Sequence, residues 1–195
     1  MMKKTDYTPL AYTPLFCEEN IWKLLEAIYE NAWQAGSIQP QHVLFIINGN
    51  NTVALFGQGK TGDQQPLIWD YHVILSAMLN DQPVIYDFDS QCDFPAELTS
   101  YFNTTFPLHT NLNHEYRPMI RCIEAEFYFQ HFSSDRQHMI NVITETQFPD
   151  YPLIQADSGT PSLTLKQCRD INETIIESRL LYPYDYFMQL LVKQA

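Results

Sequence analysis

The stretch PLFCEENIWKLLEAIYENAW, residues 14–33, decides how the rest of the chain is read. Ile21, Leu24, Leu25, Ile28 and Ala32 recur at the spacing of a helix with one buried face. The pattern predicts a helix from about Glu18 to Ala35, with Gly36 as the residue beyond its end. One turn back from Ile21 along the apolar stripe stands Cys17, followed at once by Glu18 and Glu19. A thiol at a helix N-terminus meets the positive end of the macrodipole, which favours thiolate and makes a nucleophile. The alternative is a small apolar residue packed in the core.

Working outward, residues 1–16 carry the echo YTPLAYTPL, and Pro9 and Pro14 bias the preceding threonines toward an extended arm. After the helix, HVLFIINGNNTVALFG (42–57) places two β-branched, apolar runs around Asn-Gly-Asn-Asn, a hairpin signal. PLIWDYHVIL (66–75) and PVIYDFDS (83–90), separated by SAMLNDQ, predict a second hairpin. CDFPAELTSYF (92–102) reads as a short helix and YRPMIRCI (116–123) as a strand. EAEFYFQHFSSDRQHM (124–139) reads as a helix breaking into a polar loop, and 147–162 as loop. LTLKQCRDINETIIESRL (163–180) and YPYDYFMQLL (182–191) read as helical. One helix, then antiparallel strands, then further helices is an α+β layout, with the helix that bears the thiol packed on a mostly antiparallel sheet.

With 195 residues, one catalytic domain over 1–195 is expected, with 1–16 as its arm and 166–195 as a C-terminal helical segment. The formal charge of −12, from 23 acids and 11 bases, argues against nucleic acid and against anionic membranes as partners. It mildly favours a cationic partner such as a free amino terminus. The first twenty residues contain no apolar signal core, and no run approaches the roughly 18 apolar residues of a spanning helix. Cys17, Cys92, Cys122 and Cys168 show no CxxC spacing, so neither a disulfide framework nor a metal site is indicated. The expectation is a monomer in the reducing cytoplasm.

The second hairpin carries chemistry. Side chains alternate along a strand, so Asp70, His72 and Ile74 share one face, and Ile85, Asp87 and Asp89 share a face on the return strand. A turn centred between Leu79 and Asn80 sets His72 opposite Asp87, within reach of an imidazole–carboxylate hydrogen bond. With Cys17 the chain order becomes thiol, base, orienter, as in cysteine hydrolases of papain-like and transglutaminase-like architecture. Taken singly, each has a structural alternative: a core thiol, a strand histidine, a solvated carboxylate.

FCEENIWKL, IWDYHV and IYDFD, with FSSDRQHM (132–139) and YP (151–152), resemble the protein N-terminal glutamine amidohydrolase family from about Tyr12 to Leu165. The resemblance implies an α/β, papain/transglutaminase-like fold, a catalytic triad of Cys17, His72 and Asp87, and no cofactor. It further implies removal of the side-chain amide from an N-terminal glutamine of a peptide or protein, giving glutamate and ammonia and feeding an N-degron pathway. The stretch after Cys168 does not follow animal members closely, and the amino-terminal arm is shorter. Both departures bear on which protein is the substrate. Restriction to a chain terminus needs a carboxylate that holds an ammonium. Candidate substrate-binding residues are Asp70, Glu18, Ser134 and Asp135. Glu19 is a further carboxylate candidate, although at most one of the adjacent Glu18 and Glu19 is expected to face the site. Asp70 shares the face of His72, while Ser134, Asp135 and Arg136 equally suit a structural polar loop. A deamidase of internal glutamine and a non-catalytic module that captures chain termini are the rival readings.

Overall fold

The computed structural model describes residues 10–30, 37–59, 65–107, 112–175 and 177–192. Helix α1 spans Cys17–Tyr29 and buries Ile21, Leu24 and Leu25, the core of the stripe read from the sequence. Each such side chain contributes roughly 1.5–3 kcal/mol of hydrophobic stabilisation. The helix is shorter than expected. Its C-cap is Glu30, whose N–H still bonds to the Glu26 carbonyl, and the expected extension through Ala35 to Gly36 falls outside the described residues.

Six strands form the main sheet: β1 (Ile38–Ile47), β4 (His72–Leu79), β5 (Gln82–Tyr86), β6 (Ala96–Glu97), β7 (Met119–Glu124) and β10 (Ser178–Leu181). Their order is β10-β7-β1-β4-β5-β6, with every neighbouring pair antiparallel. Two shorter ribbons join β2 (Val53–Leu55) to β3 (Leu67–Trp69), and β8 (Phe132–Ser133) to β9 (Leu163–Thr164). Helices cover both faces. One core cluster takes in Ile21 and Leu25 of α1, Phe45 and Val73 of the sheet, Tyr128 of α3 (Ala125–His131) and Cys168 of α4 (Leu165–Arg169). The other packs Leu44, Ile74 and Ile85 against Tyr101 of α2 (Leu98–Thr105) and Tyr186 of α5 (Pro183–Val192). Helices on a mostly antiparallel sheet meet the α+β expectation.

The first hairpin is not formed. β1 has both hydrogen-bonding edges occupied, by β4 and by β7, so β2 has no edge to fold back on. The Asn48 side chain builds the intervening loop. Its Oδ1 accepts from the N–H groups of Asn50 and Thr52 at 3.0 and 3.1 Å, and its Nδ2 donates to the Thr52 and Glu115 carbonyls at 2.8 Å. Asn-Gly-Asn-Asn therefore redirects the chain into a ribbon with β3 rather than closing a hairpin.

The second hairpin is formed, with a corrected register. The turn sits on Asn80 and Asp81, both at positive φ (49° and 63°), the geometry of a two-residue hairpin loop. Pairs run from Leu79↔Gln82 to Leu75↔Tyr86, so one further pair would set Asp87 against Ile74, two residues along from His72. A slip of two preserves which face each side chain occupies. The reading of 163–180 as helical is also corrected: only Leu165–Arg169 is helix, and Ser178–Leu181 is strand β10 on the sheet edge, paired with β7. The run 67–75 is likewise two strands, because the chain bends at Asp70 between β3 and β4.

Candidate active site

Cys17 is the first residue of α1. Phe16 stands at the N-cap and has no side chain that can cap. The approach is fixed instead by Asn20, which donates to the Thr13 carbonyl at 2.9 Å and accepts from the Thr13 N–H at 2.8 Å. No N-cap side chain takes the first-turn N–H groups, and apart from the Glu18 N–H, which its own carboxylate engages, they are suited to an anion. The thiol is 7% exposed. It lines a cavity of about 360 Å³ with Leu15, Trp69, Asp70, Tyr71, His138, Met139, Val142 and Arg169. Sγ accepts from the backbone N–H of Val73, the residue after His72, and lies 3.7 Å from Glu18 Oε2.

His72 opens β4 and is fully buried. Its Nε2 meets Asp87 Oδ1 at 2.8 Å, and Trp69 stacks on the ring with centroids 4.7 Å apart and planes at 26°. Its Nδ1 is buried and has no hydrogen-bond partner. With Nε2 spoken for, Nδ1 is the nitrogen free to exchange a proton. Asp87 is saturated. Oδ1 also accepts from the Asp89 N–H at 3.0 Å, while Oδ2 accepts from Gln58 Nε2 at 2.9 Å and from Tyr101 OH at 2.8 Å. Ligand-type atoms of His72, Asp87 and Asp89 lie within 4.8 Å of one another. Because His72 and Asp87 spend theirs on each other, this group reads as a base with its orienter.

Electrostatics sort these groups. Burial opposes a charged imidazole at His72, but Asp87, by charge and hydrogen bond, and Asp89 outweigh it and raise the ring above its ordinary value. Burial works against the Asp87 carboxylate too, yet His72, Gln58 and Tyr101 bring it down to about 2. Cys17 runs against expectation. Burial, then the charges of Glu18 and Asp89 and, more weakly, Asp70, hold its thiol well above the ordinary value, against only the Val73 N–H. The dipole favours thiolate, but desolvation and three acids win, so the resting group is a thiol.

The four substrate-binding candidates separate. Asp70 lines the cavity with its side chain 59% exposed, and Arg169 meets it at 3.1 Å. Glu18 is buried directly behind the cavity, where Tyr71 OH donates to Oε2 at 2.8 Å and His138 Nε2 stands 3.5 Å from Oε1. The Ser134 hydroxyl donates to Glu19 Oε1. Arg136 grips the same Glu19 through Nε at 2.9 Å and Nη2 at 2.7 Å, so Glu19 and this loop form a structural clamp on α1. Asp135 accepts from the Gln137 N–H at 2.9 Å and lines an adjoining cavity of about 450 Å³ that shares His138 and Arg169 with the first. Gln58, Tyr101 and His138 escaped the sequence reading. Gln58 and Tyr101 reach Asp87 only through tertiary folding, and His138 stands in the quoted FSSDRQHM segment without a spacing that singles it out.

The geometry agrees with the relatives of the chain. A sequence profile of a family described as N-terminal glutamine amidase matches residues 12–179. The chain is 35% identical to the protein N-terminal glutamine amidohydrolase of Arabidopsis thaliana over 138 residues, 69% of this chain and 62% of that protein, so it spans less than two thirds of the plant relative. Against the proteins of the same description from Danio rerio and Homo sapiens it is 32% and 30% identical. Those matches cover 82% and 79% of this chain, and 79% and 75% of the relatives.

Proposed function

The chain belongs to the N-terminal glutamine amidase family, and from that premise we propose that it hydrolyses the side-chain amide of an N-terminal glutamine with Cys17, His72 and Asp87 as its triad. The observation that carries this reading is the disposition of His72: Nε2 fixed on Asp87, Nδ1 unpartnered, and the next residue's N–H against the Cys17 sulfur. A thiol at a helix N-terminus beside a histidine and an aspartate on adjoining antiparallel segments supports a papain/transglutaminase-like arrangement.

Cys17 passes its proton to His72 Nδ1, and Asp87 stabilises the imidazolium that results. The thiolate attacks the carboxamide carbon, and the oxyanion develops against uncapped N–H groups at the start of α1. His72 returns the proton to the departing nitrogen, releasing ammonia and leaving a thioester. It then takes a proton from water, whose oxygen attacks the thioester and frees glutamate and the thiol. No step calls for a cofactor. The glutamate-headed product is the form an N-degron pathway would receive.

The test is ammonia release from three matched peptides: one beginning with Gln, one with acetyl-Gln and one carrying Gln internally. Release from the first alone, abolished in Cys17→Ala, is expected. Release from all three makes the protein a general side-chain deamidase, and release from none overturns the enzymatic reading in favour of a capture module.

A further inference from the structure

Glu18 and Glu19 are adjacent and both buried, but only Glu19 has a cation. Glu19 is held by the Arg136 guanidinium and by Ser134. Among the described residues no lysine or arginine meets Glu18. Its Oε2 is served by Tyr71 OH at 2.8 Å, whereas Oε1 is buried without a hydrogen-bond partner. A carboxylate in that position is costly unless it is protonated or something outside the chain brings the charge. Three of the side chains that touch it, Cys17, Tyr71 and His138, line the reactive cavity.

Resting on the amidohydrolase reading above, we propose that Glu18 is the counter-charge for the α-ammonium of the substrate, and that seating the ammonium there releases the Cys17 thiol for ionisation. Recognition and activation are then one contact. The glutamine side chain permits it. From the amide carbon to the α-nitrogen is four bonds, about 5 Å at full extension, and Glu18 Oε2 stands 3.7 Å from the sulfur. The spacing suits one ligand to both groups, with Glu18 just behind the cavity wall made by Cys17, Tyr71 and His138.

The surroundings support the coupling. The Glu18 charge follows burial as the second cause that holds the Cys17 thiol up, and burial in turn pushes Glu18 up to about 7. Its remaining neighbours supply no cation in contact: the Arg136 guanidinium acts on Glu18 only through space, its hydrogen bonds going to Glu19. Tyr71 and Tyr128 offer hydroxyls, the latter to the Glu18 backbone carbonyl. Cys168 is a buried thiol, Glu19 is an acid answered by Arg136, and burial followed by the Arg169 charge holds His138 below the ordinary imidazole value, hence neutral near pH 7. Arg169 itself stacks on the Tyr71 ring at 4.2 Å and spends its charge on Asp70. An incoming ammonium supplies the missing charge at Glu18. The thiol proton then moves to His72 Nδ1, and the thiolate remains.

The test compares a Gln-headed peptide with its des-amino analogue, in which a 4-carbamoylbutanoyl group replaces the glutamine and only the amine is missing. In the wild type the analogue should lose at least about tenfold in kcat, the effect of about one pKa unit at the thiol, besides any rise in KM. A loss confined to KM overturns the activating role, and equal rates overturn the proposal entirely. In Glu18→Gln the preference for the amine should collapse toward unity, while Asp70→Asn should keep it. The reverse result moves the ammonium to Asp70 and overturns the assignment. Alkylation of Cys17 by iodoacetamide across pH, read by mass spectrometry, needs no turnover. Its midpoint should fall by about one pH unit or more in Glu18→Gln. Unshifted profiles overturn the coupling even if the protein is an amidohydrolase, whereas a shift without ammonia release from any peptide leaves the coupling standing and sinks the amidohydrolase reading alone.

Discussion

Asp87 and Glu18 are both buried carboxylates within one contact of the reacting groups, yet their surroundings are opposite. Asp87 sits on the strand side, where an imidazole, an amide, a phenol and a backbone N–H satisfy both oxygens. Glu18 sits on the helix side with its own backbone N–H, one phenol, a thiol and an oxygen without a hydrogen-bond partner. The first is held down to about 2 and the second is pushed up to about 7. Burial disfavours both charges; partners decide the sign. The difference separates a group whose charge is permanently built in from one whose charge waits for a partner. Glu19 sides with Asp87: it is deeply buried and fully paired, and it holds the 134–139 loop against α1.

Disturbing the satisfied side should have the largest effects. Asp87→Asn keeps the shape but loses the charge that holds the imidazolium, and turnover should fall roughly 10³- to 10⁴-fold. Because Asp87 holds His72 above its ordinary value, the acid limb of the remaining activity should move to lower pH, read from kcat/KM across pH. Next in size is the clamp. Arg136→Leu leaves Glu19 buried without its cation, a change of about 3–5 kcal/mol. Urea unfolding at neutral pH should show that loss, with the slope of the transition retained. Smaller again is the acid limb of stability. The folded Asp87 value lies below the ordinary carboxylate range, so its contribution is complete above about pH 4 and is lost as pH falls toward about 2. Asp87→Asn should flatten the wild-type fall in stability across that window.

The positions of these groups are legible in the sequence, whereas the surroundings that set them apart are not, for physical reasons. Period 3.6 from Ile21 to Ile28 located α1 and Cys17, because a one-sided helix must repeat that way. Strand parity puts His72 and Asp87 on one face even though the turn lies one residue later than the sequence suggests, since parity survives a slip of two. The Asn48 loop differs from the hairpin its sequence suggests because an Asn-rich turn looks the same whether its strands pair or part, and occupancy of both β1 edges is a property of the whole sheet. Gln58 and Tyr101 come from a loop and a helix distant in sequence, so nothing local marks them as supports of Asp87. The high value of the thiol depends on desolvation, which a dipole argument at the helix N-terminus leaves out. The different fates of Glu18 and Glu19 were unreadable for the same reason: one position along a helix turns a side chain by about 100°, and only the fold says what waits on each side.

The unsatisfied side should respond most gently and with the opposite sign. A carboxyl whose folded value is raised contributes its stability below the unfolded value, near pH 4, and loses it as pH rises through about 7. Wild type should therefore weaken across that interval relative to a variant in which position 18 cannot ionise. Glu18→Gln keeps the shape of the side chain, and its amide can still accept from Tyr71. Its melting temperature should be close to that of wild type near pH 4 and a few degrees higher near pH 8. The same variant is expected to lose its discrimination for a free amino terminus, so stability would rise where function falls, as expected where a strained charge is kept for its use. Equal melting curves at pH 8 would mean that the Glu18 charge is already compensated in the free protein, and the contrast with Asp87 would then rest on geometry alone.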